Sequence, residues 1–178
     1  MATMIRDGEG ERADDAPQTR TMWHLLERVA DLERRVGALY ERFAALFRQS
    51  PLVAAFWLEM AGEERLHALI VAAAREVFPA TAPAPPGEWS ARLAEVEKLL
   101  SAIEARAVAG VSAQDAFAGA EQLEASELNA VTESVLRHAG TGFSRLGPFV
   151  ARSGVDRHRD KVLEARRRFR IAEVSVHP

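Results

Sequence analysis

The chain repeats a pattern of acids, imidazoles and turn signals at an offset of 91 residues. At this offset four pairs correspond along the chain: Leu32 with Leu123, Glu33 with Glu124, Ser50 with Thr141, and His67 with His158. Agreement of turn signals and polar positions on one offset is harder to obtain by chance than either alone. An internal repeat indicates copies of one supersecondary unit. The sequence therefore predicts two related units, each about half of the chain.

Each unit has the pattern of a helical hairpin. Ala, Leu, Glu and Arg dominate the chain after Thr21, and apolar residues recur three and four positions apart. The spacing and the breakers predict five helices: Met22 to about Arg48, Pro51 to Val77, Glu88 to Ala109, Ser112 to His138, and one from the turn at 139–142 to about Ile171. Two hairpins joined by a long crossover predict an all-α, ferritin-like four-helix bundle, with an extra helix in the crossover.

Length and composition narrow the class of protein. At 178 residues the chain is long enough for one domain, which we expect over residues 21–172, with a flexible arm at 1–20 and a short tail at 173–178. A net charge of −3 is too small to favour a nucleic-acid partner. The absence of cysteine excludes disulfides, iron–sulfur clusters and thiol nucleophiles. The polar N-terminal stretch and the lack of a long apolar run predict a cytoplasmic protein without a membrane span.

Glu64 and His67 form a Glu-x-x-His unit on the second predicted helix. At a spacing of three, both side chains project from one helix face, and their apolar neighbours turn that face inward. Glu33 lies on the inward stripe of the first helix. Burial of an isolated carboxylate costs several kcal/mol, or the group becomes neutral. A bound cation would best offset this cost for several acids and imidazoles in one core. Iron, manganese and zinc all suit a mixed oxygen and nitrogen shell.

The second unit supplies Glu124 at the position of Glu33 and His158 at the position of His67. Glu127, one turn beyond Glu124, can also face inward. The repeat has one defect, because the position that corresponds to Glu64 is occupied by Val155. The sequence therefore predicts an asymmetric site.

Three segments resemble the rubrerythrin and ferritin superfamily of di-iron carboxylate proteins: Leu32-Glu33 with Tyr40, residues 63–68 (EERLHA), and residues 123–129 (LEASELN). The resemblance implies an iron site with two irons per chain, in which Glu64 bridges the metals. It also implies the remaining ligands, which are Glu33, His67, Glu124, Glu127 and His158. Tyr40 would donate a hydrogen bond to a ligand.

Three functions stay open from the sequence. The first is a redox enzyme, an oxidoreductase that uses O2 or peroxide at a non-haem di-iron centre, with peroxide, ferrous iron or an organic molecule as its substrate. The second is iron sequestration in an oligomer, and a homo-oligomer is compatible with the first as well. The third is a metal-free bundle that serves as a binding or scaffold protein, which the defect at Val155 favours. We read Glu41, Glu59 and Glu63 as facing outward in each case.

Overall fold

A computed structural model describes residues 21–76, 78–84, 88–126, 128 and 157–171 of the chain. The helices bounded within these residues are α1 (Met22–Leu46), α2 (Pro51–Arg75), α3 (Trp89–Ala109), α4 (Ala113–Glu124) and α5 (His158–Arg168). Apart from an isolated bridge between Thr21 and Pro83, this part of the chain contains no strand pairing. The prediction of an all-α chain is confirmed there. The predicted arm and tail lie outside the described residues.

Local signals explain where the helices begin. Thr21 caps α1, since its side chain accepts a hydrogen bond from the backbone N–H of His24. Pro51 occupies the first turn of α2, where its missing N–H costs no hydrogen bond. Ser112 accepts from the N–H of Asp115 at 3.1 Å and opens α4. These three starts agree with the sequence prediction.

The end of α4 does not agree with the prediction. The sequence pattern continues helical periodicity to His138, whereas α4 ends at Glu124. The N–H of Ala125 still makes the regular bond to the carbonyl of Glu121, but the N–H of Ser126 bonds to the carbonyl of Leu123 at 2.9 Å. This bond spans three residues instead of four, so the last turn tightens and the regular ladder stops. Beyond this break Leu128 is again helical, and residues 127 and 129–138, with the turn at 139–142, lie outside the described residues.

Gly37 sets how closely α1 and α2 pack. A four-residue connection at 47–50 joins these helices into a hairpin. A Cβ at Gly37 would lie 3.4 Å from the carbonyl oxygen of Ala61 and 3.4 Å from Cβ of Glu64. The small residue lets the two backbones approach at the level of Glu64.

An aromatic cluster joins three helices in the core. The ring centroid of Trp57 on α2 lies 5.4 Å from Tyr40 and 5.0 Å from Phe43, both on α1. It lies 4.6 Å from Phe117 on α4. All four residues are fully buried, and aromatic pairs at these distances add to the stabilisation from burial itself. This cluster fixes α1, α2 and α4 next to Tyr40, whose hydroxyl reaches the polar residues described below.

The two other helices pack apolar residues into the core, among them Leu93, Val96, Leu100 and Ile103 on α3 and Val162 and Ala165 on α5. Ion pairs at the edge of the core add to this packing. Arg35 on α1 binds both carboxylate oxygens of Glu104 on α3, at 3.1 and 2.7 Å. Helix α5 contacts α4 through Arg166 and Glu121 at 3.1 Å. No described helix is long and apolar enough to cross a lipid bilayer.

Candidate metal centre

Five ionisable side chains from four helices meet in the interior. They are Glu33 on α1, Glu64 and His67 on α2, Glu124 on α4 and His158 on α5, and all are buried. The structure thus brings together five of the six ligands that the sequence proposes. The sixth, Glu127, and the repeat defect at Val155 lie outside the described residues.

Glu64 lies at the centre of this cluster because its two oxygens face different histidines. Oε2 lies 3.2 Å from Nδ1 of His67, and Oε1 lies 2.9 Å from Nδ1 of His158. The two imidazole rings stack, with centroids 4.8 Å apart and planes 20° from parallel. A single carboxylate therefore connects the two histidines.

Each histidine also has a second acid beside the same nitrogen. Glu33 Oε2 lies 3.8 Å from Nδ1 of His67, and Glu124 Oε2 lies 3.6 Å from Nδ1 of His158. Glu33 with His67 forms one Glu–His pair, and Glu124 with His158 forms the other. These pairs are the residues related by the 91-residue offset, and they share Glu64.

The donor set fits a metal ion. One ligand atom each from Glu64, His67 and His158 lies within 4.8 Å of the others. Adjacent ligands of an octahedral ion with bonds of about 2.1 Å are separated by about 3 Å, which the distances of 2.9 and 3.2 Å match. Oε1 of Glu64 and both ring nitrogens of His158 are buried, and no well-angled hydrogen bond reaches them within the described part of the chain. These atoms are close enough to bind one cation together, but their directions do not suit hydrogen bonds with one another.

Burial and mutual contact shift the pKa values of the acids in opposite directions. Burial, with a smaller contribution from the charge of Glu64, outweighs the contact with His67 and raises the pKa of Glu33 to about 7. Burial also acts to raise the pKa of Glu64, but its contacts with His158 and His67 outweigh burial, and the pKa is lowered. Glu64 is therefore the carboxylate that stays ionised, while Glu33 is nearly balanced between its two forms at neutral pH.

The histidines are shifted upward by the acids around them. Burial by itself lowers the pKa of His67, but Glu33 and Glu64 outweigh it and raise the pKa to about 11. In the same way Glu124 and Glu64 overcome burial and raise the pKa of His158 to about 10. Without a cation, protons on the imidazoles balance the carboxylates. A metal ion must displace these protons, since only the neutral imidazole is a ligand.

Tyr40 contacts the cluster from α1. Its hydroxyl donates a hydrogen bond of 2.5 Å to Oε1 of Glu124. Burial, followed by the charges of Glu124 and Glu64, raises the pKa of the phenol well above its usual value, so it stays a donor. This hydrogen bond to an acid of the cluster agrees with the contact that the resemblance implies for Tyr40.

Glu63 is a member of the site that the sequence reasoning missed. We predicted an outward side chain, yet Glu63 is only 27% exposed and its Oε2 lies 3.0 Å from Nε2 of His158. Its other oxygen contacts Nζ of Lys161, one turn further along α5. Glu63 lies about 100° from Glu64 on α2, at the margin of the inward face, and α5 covers that margin. Lys161, three residues after His158, is the sequence signal that could have indicated a partner for Glu63 on this helix.

No family model, curated protein or solved structure matches this chain. The chemistry of the cluster itself is therefore the basis for its function.

Proposed function

We propose that this chain is a ferritin-like, rubrerythrin-like metal protein that holds two iron ions between its helices. The observation that carries the proposal is the placement of Glu64, whose two oxygens face two equivalent Glu–His pairs. A network of ion pairs alone would not require one carboxylate to direct its two oxygens at two separate Glu–His pairs. Two cations would fit this arrangement, because Glu64, one imidazole and one further acid would be available to each of them.

In this proposal Glu33 and His67 hold one ion, Glu124 and His158 hold the other, and Glu64 binds both. Bound iron would supply one-electron redox chemistry toward O2, peroxide or further ferrous iron as a substrate. The chain's own residues would neutralise the charge of the ions and keep water out. Tyr40 would orient Glu124 by its hydrogen bond, and the buried aromatic cluster would close the site on that side.

Metal counting tests the proposal. The purified protein is loaded anaerobically with Fe(II), desalted and analysed for iron per chain, and is then exposed to air while the near-ultraviolet absorption of oxo-bridged ferric iron is followed. We expect about two irons per chain and a ferric signal. Glu64→Ala should abolish both, whereas Glu104→Ala, which breaks only the ion pair with Arg35, should retain both. Wild-type protein that binds no metal would overturn the proposal.

Repeated additions of Fe(II) separate the redox functions. Oxidation of many irons per chain would indicate that ferrous iron is itself the substrate. Oxidation that stops at the resident ions would instead favour reduction of O2 or peroxide coupled to another donor.

A metal-free binding or scaffold protein is the second candidate. The observation that favours it is that the imidazoles of His67 and His158, held protonated by their neighbours, already balance the carboxylates. In that case the wild type would bind no iron, manganese or zinc, and its melting temperature would not change when these ions are added.

A further inference from the structure

Helix α2 carries a row of exposed apolar residues on the side that faces away from the core. Ala55, Leu58, Gly62, Leu66 and Leu69 follow one another at spacings of three and four, and all are exposed. Leu58 is 58% exposed and Leu69 is 67% exposed. Single exposed leucines are ordinary, but a continuous apolar row on one helix face marks an interaction surface. We call these five residues the α2 stripe.

Gly62 lies at the centre of the α2 stripe. A glycine inside an exposed helix lowers helix stability relative to any ordinary residue. At Gly37 the fold explains the glycine, because a Cβ there would touch α2. At Gly62 a Cβ would meet no atom of the described part of the chain within 4 Å. Packing among the described residues does not require this glycine, whereas the close approach of a helix from a second copy would.

The residue types on this helix face are approximately symmetric about Gly62. The pairs at equal distance are Glu59 and Arg65 at three residues, Leu58 and Leu66 at four, and Ala55 and Leu69 at seven. When two copies of a helix cross antiparallel at one residue, each position before the crossing faces the position equally far after it in the other copy. Leucine would then meet leucine, alanine would meet the larger Leu69, and glutamate would meet arginine.

The charges favour this antiparallel arrangement over a parallel one. The side chains of Glu59 and Arg65 are each 64% exposed. Within the chain Arg65 pairs with Glu41, and Glu59 lies 3.6 Å from Lys161. In an antiparallel pair Arg65 of one copy faces Glu59 of the other, so that charges alternate in sign across the contact. A parallel pair would place Glu59 against Glu59, which is repulsive.

We infer that the α2 stripe is a homodimer surface, on which a second copy of this chain packs its own α2 antiparallel with the crossing at Gly62. The contact is isologous, since both copies use the same residues. A surface formed mainly by one helix face is smaller than that of an obligate dimer, so the dissociation constant should lie in the micromolar range. The inference does not depend on the metal.

Sedimentation velocity of the full chain, from about 1 to about 100 μM, tests the surface. We expect a reversible monomer–dimer equilibrium. Gly62→Lys should raise the dissociation constant at least about tenfold, because a long charged side chain would occupy the crossing. Its melting temperature at low concentration should not fall, because the site has room and lysine favours helix. Val108→Lys, at an apolar position on α3 that is 70% exposed, is the matched control and should dimerise like the wild type.

Charge exchange tests the antiparallel pairing separately. Glu59→Arg alone and Arg65→Glu alone should each weaken the dimer several-fold, and the double variant should restore it, since every pair is then reversed but complementary. A wild type that stays monomeric throughout the range would overturn the inference. A dimer that Gly62→Lys leaves intact would also overturn the inference. If both single variants weaken the dimer and the double variant fails to restore it, the antiparallel crossing would be wrong.

Discussion

Tyr40 on α1 holds one oxygen of Glu124 on α4, and this contact leaves the other oxygen directed at the cluster. The hydroxyl bonds to Oε1 at 2.5 Å, while Oε2 lies 3.6 Å from Nδ1 of His158. The acid from the second sequence unit is thus oriented by a residue of the first. The two units are coupled at the site itself.

Tyr40→Phe should destabilise the metal-free protein by about 1.5–3 kcal/mol, the cost of removing a hydrogen bond to a buried charged group. The ring should keep its packing against Trp57, which lies 5.4 Å away, so the loss reports the hydroxyl alone. Urea denaturation at neutral pH measures the free energy of unfolding. An unchanged value would mean that the contact with Glu124 contributes no net stability.

The two histidines should each control one metal. We expect His67→Gln and His158→Gln to lower the iron content from about two to about one per chain, since each variant removes a ligand from one Glu–His pair and leaves the other with Glu64. His24→Gln is the control, because that histidine contacts Thr21 at the start of α1 and lies outside the cluster. Metal analysis after anaerobic loading is the measurement. Loss of both ions in each single variant would contradict two separable half-sites.

Sequence periodicity could predict which face of a helix is buried, but not which helix covers it. Glu33, Glu64 and His67 were placed inside because apolar neighbours three and four residues away define the inward stripe of each helix. Glu63 was misplaced because it lies at the edge of that stripe, where exposure depends on α5. The position of a neighbouring helix is a tertiary property that a local pattern does not encode.

The end of α4 could not be predicted from the sequence either. No proline or glycine follows Glu124 directly, so helical propensity continued to predict helix. The helix ends where the N–H of Ser126 bonds to the carbonyl of Leu123, three residues back, and not at a breaker residue. In contrast, the starts of α1, α2 and α4 were predictable because Thr21, Pro51 and Ser112 act locally.

Glu63 should position His158 for metal binding. Oε2 of Glu63 lies 3.0 Å from Nε2 of His158, while Nδ1 of the same ring faces Glu64 and Glu124. Outer carboxylates of this kind typically change metal affinity by about 10- to 100-fold, so Glu63→Ala should weaken the ion bound by His158 by that factor and leave the other ion unchanged. A two-site Co(II) titration followed by visible absorption resolves the two affinities.

Glu41→Ala is the matched control for that titration, because Glu41 also forms an exposed ion pair but contacts Arg65 rather than the cluster. Equal weakening of both ions in Glu63→Ala would assign Glu63 a general structural role. No weakening of either would show that the fold alone orients His158.

The stability of the metal-free protein should fall as pH rises above about 5. Glu33 has a pKa of about 7 in the folded chain against 4.5 as a free side chain, so its contribution is full below 4.5 and is lost as pH rises through 7. The contributions of His67 and His158 are full below 6.5 and are lost as pH rises toward 11 and 10. Glu64, whose pKa is lowered, acts in the opposite sense and loses its contribution only in acid.

Metal should reverse this dependence, because the ion binds the deprotonated imidazoles and releases their protons. The increase in melting temperature on adding Fe(II) anaerobically should therefore grow from about pH 6 to about pH 8. Paired thermal melts with and without metal measure the increase at each pH. The double variant His67→Gln with His158→Gln is the control and should show none. An increase that shrinks as pH rises would mean that metal does not compete with the protons of these two histidines, and the ion would have to bind elsewhere.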